Sequence, residues 1–174
     1  EYKLKSFNVS DPMNLVLLDE DPEDTADLFP LEITFQDGLA AVQNDNWLML
    51  LFSVSKEGQI GLVGEMTFED SFTQNVFFDQ DYLYYGGYRA ISALKLGDRT
   101  MPTIVGQAHL PSPESFFDVE CRDQYAFCAA GDLGLQTYDL SDPSAPILVG
   151  SGVTPSEAYE IVLRDQWAFV VGYD

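Results

Sequence analysis

Among the side chains that could take part in catalysis or metal binding, carboxylates are the most numerous. The chain holds 29 acids, 8 bases and a single histidine, giving a formal net charge of −21 at pH 7. Seven acids crowd one short segment: Asp19, Glu20, Asp21, Glu23, Asp24, Asp27 and Glu32. Carboxylate oxygens are ligands for Ca²⁺, but their spacing here matches no D-x-[DN]-x-[DN]-G loop. We expect a solvated acidic surface with no resident cofactor, and keep Ca²⁺ binding as the alternative.

No pattern in the sequence indicates catalysis. His109 stands alone in Gln107–Pro111 and has no motif partner that would make it a general base. The chain contains no G-x-S-x-G, no H-E-x-x-H and no phosphate-binding glycine loop. Carboxylate pairs are so common in this acidic chain that they do not identify a glycosidase. We therefore predict no catalytic residues and no enzymatic activity.

Two cysteines, Cys121 and Cys128, are too few for a disulfide framework. A turn centred on Asp123 and Gln124 would place Cys121 opposite Ala126, so that Cys128 lies diagonally from it. We interpret the cysteines as small core residues, with a hairpin disulfide as the alternative because only close Cα atoms can be bridged.

The elements that carry these side chains repeat every 42 to 45 residues. The segment Leu135–Pro143 reads Leu-Gln-Thr-Tyr-Asp-Leu-Ser-Asp-Pro, and Leu4–Pro12 reads Leu-Lys-Ser-Phe-Asn-Val-Ser-Asp-Pro. A period of this size with strand-like content is typical of β-propellers. No 12-residue window gives a convincing helical stripe.

Each repeat predicts four short strands, which we name a, b, c and d. In the third complete repeat they span about 117–122, 125–130, 135–140 and 147–151. Arg122-Asp123-Gln124 separates strands a and b, and Arg164-Asp165-Gln166 repeats that turn, because Asp tolerates tight-turn backbone angles. Glycines 64, 106 and 150 are expected to close strand d. Strand b is mostly a continuous apolar run, which indicates burial on both faces.

These strands predict an all-β fold, a β-propeller of four-stranded antiparallel blades in one domain. The blades are a half blade at 1–19, full blades at 31–64, 74–106 and 116–151, and a half blade at 158–174. The halves sum to one blade, which gives four blades' worth of strands. Two arrangements stay open: a closed four-blade ring, which removes exposed edges, or a segment of a larger propeller. The start at Glu1 and the abrupt end at Asp174 favour the segment.

At these residues the chain resembles the LVIVD-repeat family, whose repeat has the form "aYvadg-GL-ivDvSdPanPvlvG". Gln124–Gly131 and Gly134–Gly150 follow that form closely, whereas the two middle repeats have drifted at Ser55–Glu57 and Gly97–Arg99. The resemblance implies a β-propeller, often in exported or surface-attached bacterial and archaeal proteins. It implies no settled activity and no catalytic residues.

Chain direction places the b–c and d–a loops on one face of a propeller. The candidate partner-binding residues on that face are Trp47, Tyr88 and Arg89 in b–c loops and Asp21, Asp24 and Asp27 in the acidic d–a loop. Aromatic side chains beside polar groups are good anchors for a partner or a sugar. Phe68, Phe72 and Phe116 lie in d–a connections, and we expect Phe72 and Phe116 to cap the core between blades.

The charge excludes nucleic acid, whose phosphates need Lys and Arg, and anionic membrane surfaces. No run of 18 apolar residues exists to span a membrane. We therefore expect a secreted or cell-surface module, non-catalytic, with an interaction or structural role and a protein or glycan partner. One alternative is a carbohydrate-binding or hydrolytic propeller with its site on the acidic loop face. Another is self-association into a fibre or surface layer.

Overall fold

A computed structural model describes residues 3–20, 30–44, 48–68, 75–87, 89–97, 102–111 and 116–173. These residues form sixteen strands. They contain no helix, and so no helix long and apolar enough to cross a membrane. The described residues divide into two compact units, 3–68 and 75–173. The predicted all-β class with four-stranded antiparallel sheets is confirmed.

The first unit contains a hairpin and a four-stranded sheet. The N-terminal hairpin pairs β1 (Lys5–Asn8) with β2 (Val16–Glu20). Sheet 1 has the order β3 (Pro30–Gln36), β4 (Leu39–Asn44), β5 (Leu48–Val54) and β6 (Ile60–Thr67). One buried cluster of this sheet contains Ala40, Leu50 and Phe52, and Leu4 packs against it.

Two hydrogen bonds join the N-terminal hairpin to sheet 1. The Ser6 hydroxyl donates to the carbonyl of Gly58 at 2.6 Å. The Ile60 backbone N–H donates to the Asp19 carboxylate at 2.7 Å. Asp19 therefore has a structural role in the described part of the chain.

The second unit contains two four-stranded sheets and a hairpin. Sheet 2 has β7 (Asn75–Asp79), β8 (Tyr82–Gly86), β9 (Ala90–Lys95) and β10 (Thr103–His109). Sheet 3 has β11 (Asp118–Arg122), β12 (Tyr125–Ala129), β13 (Leu135–Asp139) and β14 (Ile147–Gly152). The C-terminal hairpin pairs β15 (Glu157–Arg164) with β16 (Trp167–Tyr173).

The sheets of the second unit stack face to face. Strand β11 contacts β7 and β8, and strand β15 contacts β11 and β12. Val119 and Ala126 of sheet 3 share a buried cluster with Tyr84 and Ile91 of sheet 2. A methyl group at Gly86 would lie 2.6 Å from a Val119 methyl, so the backbones approach too closely for a side chain there. In strand b, Ala126, Cys128 and Ala129 are fully buried, as the apolar run predicts.

The a–b turns share one backbone conformation. Their first residues, Asp37, Gln80, Asp123 and Asp165, all have positive φ, between 49° and 54°. Asp suits this left-handed region because its short side chain bonds locally. Gln80 is the exception among the four. The predicted turn positions are confirmed.

Each strand d contains one β-bulge opposite strand c. The unmatched residues are Leu18, Val63, Val105 and Val149. A bulge adds one residue to one strand and bends it locally. The expectation that glycines close strand d is wrong: β6 continues to Thr67 and β10 to His109. His109 therefore lies within strand d, and not beyond it.

Candidate functional site

Of the six predicted partner-binding residues, the structure describes Arg89. Arg89 is exposed, and its carbonyl accepts a hydrogen bond from the Leu110 N–H at 2.8 Å. The other five lie outside the described residues: Asp21, Asp24, Asp27, Trp47 and Tyr88. The predicted loop site therefore stays a prediction.

Glu20, in the acidic segment, has partners within the fold. Glu20 forms ion pairs with Lys5 at 2.8 Å and Lys3 at 3.1 Å. Hydrogen bonds from Lys5, and then from Lys3, hold the pKa of the Glu20 carboxyl below its usual value. Within the described ranges, no three His, Cys, Asp or Glu side chains are grouped to hold a metal ion. The Ca²⁺ alternative therefore stays a prediction, which includes acids outside the described residues such as Asp21, Glu69 and Glu114.

The Ser-Asp-Pro copies serve as turns between strands c and d. The Asp142 carboxylate accepts hydrogen bonds from the Ser144 hydroxyl at 2.7 Å and the Ser144 N–H at 2.9 Å. These bonds lower the pKa of Asp142. Asp11 accepts a bond from the Met13 N–H at 3.0 Å in the equivalent turn. This is local side-chain turn chemistry.

The two cysteines lie in sheet 3 in the predicted register. Cys121 pairs with Ala126, and Val119 pairs with Cys128. Both are free thiols, so the hairpin disulfide is not formed. Burial raises the pKa of both, and a thiol held in its neutral form is a poor nucleophile. Cys128 packs in the core, as a small apolar residue does.

Two of the loop aromatics considered above are core residues. Phe68 and Phe116 are 4% and 1% exposed. The Phe116 ring meets the Tyr138 ring edge-on, with centroids 5.7 Å apart. The expectation that Phe116 caps the core is therefore confirmed. Phe72 lies outside the described residues.

Each sheet of the second unit has a polar pair between strands c and d. In sheet 2 the Gln107 amide donates to the buried Ser92 hydroxyl at 2.9 Å. In sheet 3 the Ser151 hydroxyl donates to the buried Gln136 amide oxygen at 2.9 Å. In β9 the sequence signal was one polar residue, Ser92, inside an apolar run. Strand β13 also contains Thr137 and Asp139, so Gln136 carries no such signal. Because these pairs satisfy each other, they stabilise the sheets and have no need of a ligand.

An aromatic row lies at the end of the second unit where strands a begin and strands b end. The Phe117 and Tyr159 centroids are 4.5 Å apart, and those of Tyr159 and Tyr173 are 5.1 Å apart. The Tyr159 hydroxyl donates to the Glu157 carboxylate, and this bond raises the Tyr159 pKa. Tyr173 is 70% exposed. Sequence reasoning missed this row because Tyr159 sits at a register shift between Ala158 and Glu160.

Several strands expose apolar side chains, among them the C-terminal hairpin and β3. On the C-terminal hairpin, Phe169 and Trp167 are 58% and 61% exposed. In the first unit, Ile33 and Phe35 of β3 are 55% and 59% exposed. A cleft of about 520 Å³ lies beside β3, lined mainly by apolar residues: Leu4, Leu31, Ile33, Val42, Leu50 and Phe52. Contiguous exposed apolar surface is typical of interaction sites.

Comparison with known families identifies the sequence of sheet 3. Residues 117–154 match the LVIVD repeat family. This LVIVD repeat contains all four strands of sheet 3, and the predicted resemblance is confirmed there. No curated protein matches the chain.

Solved structures share the fold of the chain at low sequence identity. A protein from Lactobacillus plantarum is 16% identical with a TM-score of 0.78, over 98% of this chain and 57% of that one. The computationally designed Ika4 protein is 9% identical with a TM-score of 0.69, over 87% of this chain and 90% of its own. The designed Ika8 protein is 11% identical with a TM-score of 0.66, over 89% and 46%. This chain thus spans little more than half of the Lactobacillus protein. The likeness supports a propeller-like fold.

Proposed function

We propose that this chain is a non-catalytic recognition module built on LVIVD repeats, and that it acts outside the cell. The observation that carries the proposal is the aromatic row of Phe117, Tyr159 and Tyr173. Exposed aromatic faces supply contact area at low cost in conformational entropy. Elsewhere in the described sheets, buried polar groups such as Ser92 and Gln136 have partners within the fold. Ser92 accepts a hydrogen bond from Gln107. Gln136 bonds to Ser151 and to the Leu133 carbonyl.

The aromatic row lies at the end of the sheets where the b–c and d–a loops were expected to present partner-binding residues. Tyr173 ends β16, a strand b, while Phe117 and Tyr159 lie at the start of strands a. A partner would contact the Tyr173 ring first, since that ring is the most exposed of the three. Glu157 adds a carboxylate beside Tyr159.

A protein or glycan partner fits this surface, and Glu157 favours the glycan as a second candidate function. Sugars present apolar faces that stack on aromatic rings and hydroxyls that donate to carboxylates. A glycan array probed with and without Ca²⁺ tests this directly. Tyr173→Ser should abolish binding. Phe35→Ser, at an aromatic position in the first unit that is 59% exposed against 70% for Tyr173, should leave binding unchanged.

The non-catalytic part of the proposal has its own test. A panel of glycoside and ester substrates should give no turnover by the purified chain, with or without Ca²⁺. Reproducible turnover that survives repurification would overturn it in favour of a hydrolytic propeller.

The extracellular role is supported by the charge of −21 and by the LVIVD repeat. Such a charge favours solubility and disfavours phosphate and anionic lipid surfaces. Protease treatment of intact cells should remove the chain if it is displayed on the surface. Recovery of the intact chain only after lysis would contradict this assignment.

A further inference from the structure

The second unit shows how one repeat packs on the next. Phe127, Ala129 and Leu135 form what we name the outer face of sheet 3. They pack against Ala158, Ile161, Leu163 and Val170, the inner face of the C-terminal hairpin. Hydrogen bonds accompany this packing. The backbones of Gly131 and Ala158 exchange two of them, at 3.0 and 2.9 Å. The Ile161 N–H donates to the Asp118 carboxylate at 2.8 Å, and the Arg122 guanidinium donates to the Asp165 carbonyl.

The C-terminal hairpin has an outer face of the same kind. Trp167, Phe169 and Val171 occupy the repeat positions of Tyr125, Phe127 and Ala129. They are 61%, 58% and 57% exposed. Cross-strand pairing aligns Val162 with Phe169, so the apolar face extends over both strands. The hairpin thus presents a partner surface like the one sheet 3 uses.

The first unit has an inner face of the matching kind. Ile33, Phe35 and Val42 occupy the repeat positions of Ile161, Leu163 and Val170. Ile33 and Phe35 are more than half exposed, and Ile33 and Val42 line the cleft of about 520 Å³. This inner face therefore has the residue types that cover an outer face elsewhere in the molecule.

The strand edges match in the same way. In each four-stranded sheet, strand b pairs with strand c, as β12 pairs with β13. Strand β16 is a strand b in a two-stranded sheet, and β1 is a strand c in another. Leu4, next to β1, lines the cleft. One a–b hairpin placed in the cleft would pair with β1 and cover Ile33 and Phe35 together.

We propose that the C-terminal hairpin of one copy docks in this cleft of a second copy, and that the exchange is reciprocal. Strand β16 pairs with β1 of the second copy in the register of β12 with β13, which sets Trp167 opposite Asn8 and Phe169 opposite Ser6. Arg164, at the repeat position of Arg122, donates to the Asp37 carbonyl of the second copy. Two head-to-tail contacts of this kind close a symmetric pair.

The observations favour a second copy as the occupant. Both faces expose apolar side chains, and they have the residue types of the two sides of the joint between sheet 3 and β15. The chain spans 57% of the Lactobacillus protein and 46% of Ika8, about half of each of these larger chains of similar fold. The charge of −21 on each copy opposes pairing, so added salt should strengthen the pair by screening that repulsion.

The test measures mass and contact separately. Light scattering during gel filtration should give twice the 19.4 kDa of the chain at high concentration. Phe169→Asp and Ile33→Asp, one on each face, should each return the mass to that of a single chain. Val153→Asp is the matched control, because Val153 is 98% exposed but lies outside both faces. Far-UV circular dichroism checks folding, and either face variant suffices if the other fails to fold.

A mixing experiment separates pairing between copies from closure within one copy. Asn8→Cys and Trp167→Cys are made in separate samples and mixed under oxidising conditions. Covalent dimers should form in the mixture and not in either sample alone, whereas Asn8→Cys mixed with Val153→Cys should give none. A single-chain mass at every concentration, no cross-link in the mixture, or growth into filaments would each overturn the proposal. Tyr173 also belongs to the docked strand β16, so the mass of Tyr173→Ser is measured as well. Loss of glycan or protein binding with an unchanged dimer mass bears on the proposed function alone.

Discussion

Sheet 3 and the C-terminal hairpin share a nearly identical a–b turn but have different surroundings. Arg122–Phe127 reads Arg-Asp-Gln-Tyr-Ala-Phe, and Arg164–Phe169 reads Arg-Asp-Gln-Trp-Ala-Phe. Phe127 is half-buried against the next repeat, whereas Phe169 is 58% exposed. In a repeat protein each repeat contacts its neighbours. The same side chain therefore contributes to stability or to recognition according to what lies next to it.

The largest expected difference is between the two phenylalanines. Phe127→Ala should lower the free energy of unfolding by about 2–3 kcal/mol, because it leaves a cavity against Ala129 and Ile161. Phe169→Ala should change it by less than about 0.5 kcal/mol in the single chain, as surface substitutions usually do. Urea unfolding of dilute protein measures both. Equal losses would show that burial does not separate the two positions.

A glycine pair sharpens the comparison at the backbone. Gly106 and Gly150 share a repeat position, but a methyl group at Gly106 would lie 2.2 Å from the Pro143 carbonyl oxygen. At Gly150 the nearest atom, Thr137 Cβ, is 3.5 Å away. Gly106→Ala should therefore cost about 1–3 kcal/mol, and Gly150→Ala should be neutral or slightly stabilising. Thermal unfolding in the Phe169→Asp background keeps pairing from contributing. A neutral Gly106→Ala would contradict the close approach of sheets 2 and 3.

A smaller effect is expected in the interior of sheet 3. Tyr138 is fully buried, and its hydroxyl has no hydrogen-bond partner among the described residues. Phe7 and Phe52 occupy the same repeat position. Tyr138→Phe should raise the free energy of unfolding by up to about 1 kcal/mol, because an unsatisfied buried polar group is costly. A loss of stability in urea unfolding would indicate that the hydroxyl has a partner in the folded protein.

The smallest expected effect depends on pH and lies where sheet 3 meets β15. Burial raises the pKa of Asp118, hydrogen bonds from the Ile161 and Val119 N–H groups oppose the rise, and Glu160 adds to it. A carboxyl with a raised folded pKa contributes its stability fully below its unfolded pKa of about 3.9, and loses it as pH rises through the folded pKa. Asp118→Asn should therefore be at least as stable as the parent at pH 7. The difference between their free energies of unfolding should become smaller towards pH 4.

The control for this prediction is Glu160→Gln, which removes the neighbouring charge and keeps the Asp118 carboxylate. Glu160→Gln should change the pH dependence of the free energy of unfolding in the same direction as Asp118→Asn, but by a smaller amount. Unfolding curves at several pH values measure both variants. If instead the parent is more stable than Asp118→Asn at pH 7 and loses that advantage on acidification, the buried carboxylate is stabilised in its charged form.

Much of the fold was predictable because the repeat copies agree with one another. The Asp123 turn, the register of Cys121 with Ala126 and the buried strand b all follow from local turn chemistry and apolar runs. The bulges at Val63 and Val149 were not predictable from such runs, because a bulge is set by pairing with strand c. Strand d therefore continued beyond the glycines that were expected to end it.

The candidate site was less predictable than the fold. Loop aromatics were chosen by their position in the sequence, and two of them, Phe68 and Phe116, are core residues. The aromatic row depends on the register shift at Tyr159, which brings three rings together from different strands. Burial and register are properties of packed sheets, and a single repeat does not encode them.

The free thiol of Cys128 allows local unfolding of sheet 3 to be measured by chemical labelling. It is fully buried, so a thiol reagent reaches it only when strand β12 separates from its neighbours. The rate of labelling at Cys128 therefore measures how often the centre of the second unit opens, with no probe added to the chain. A partner that binds the outer face of the C-terminal hairpin and stabilises sheet 3 would slow the labelling of Cys128.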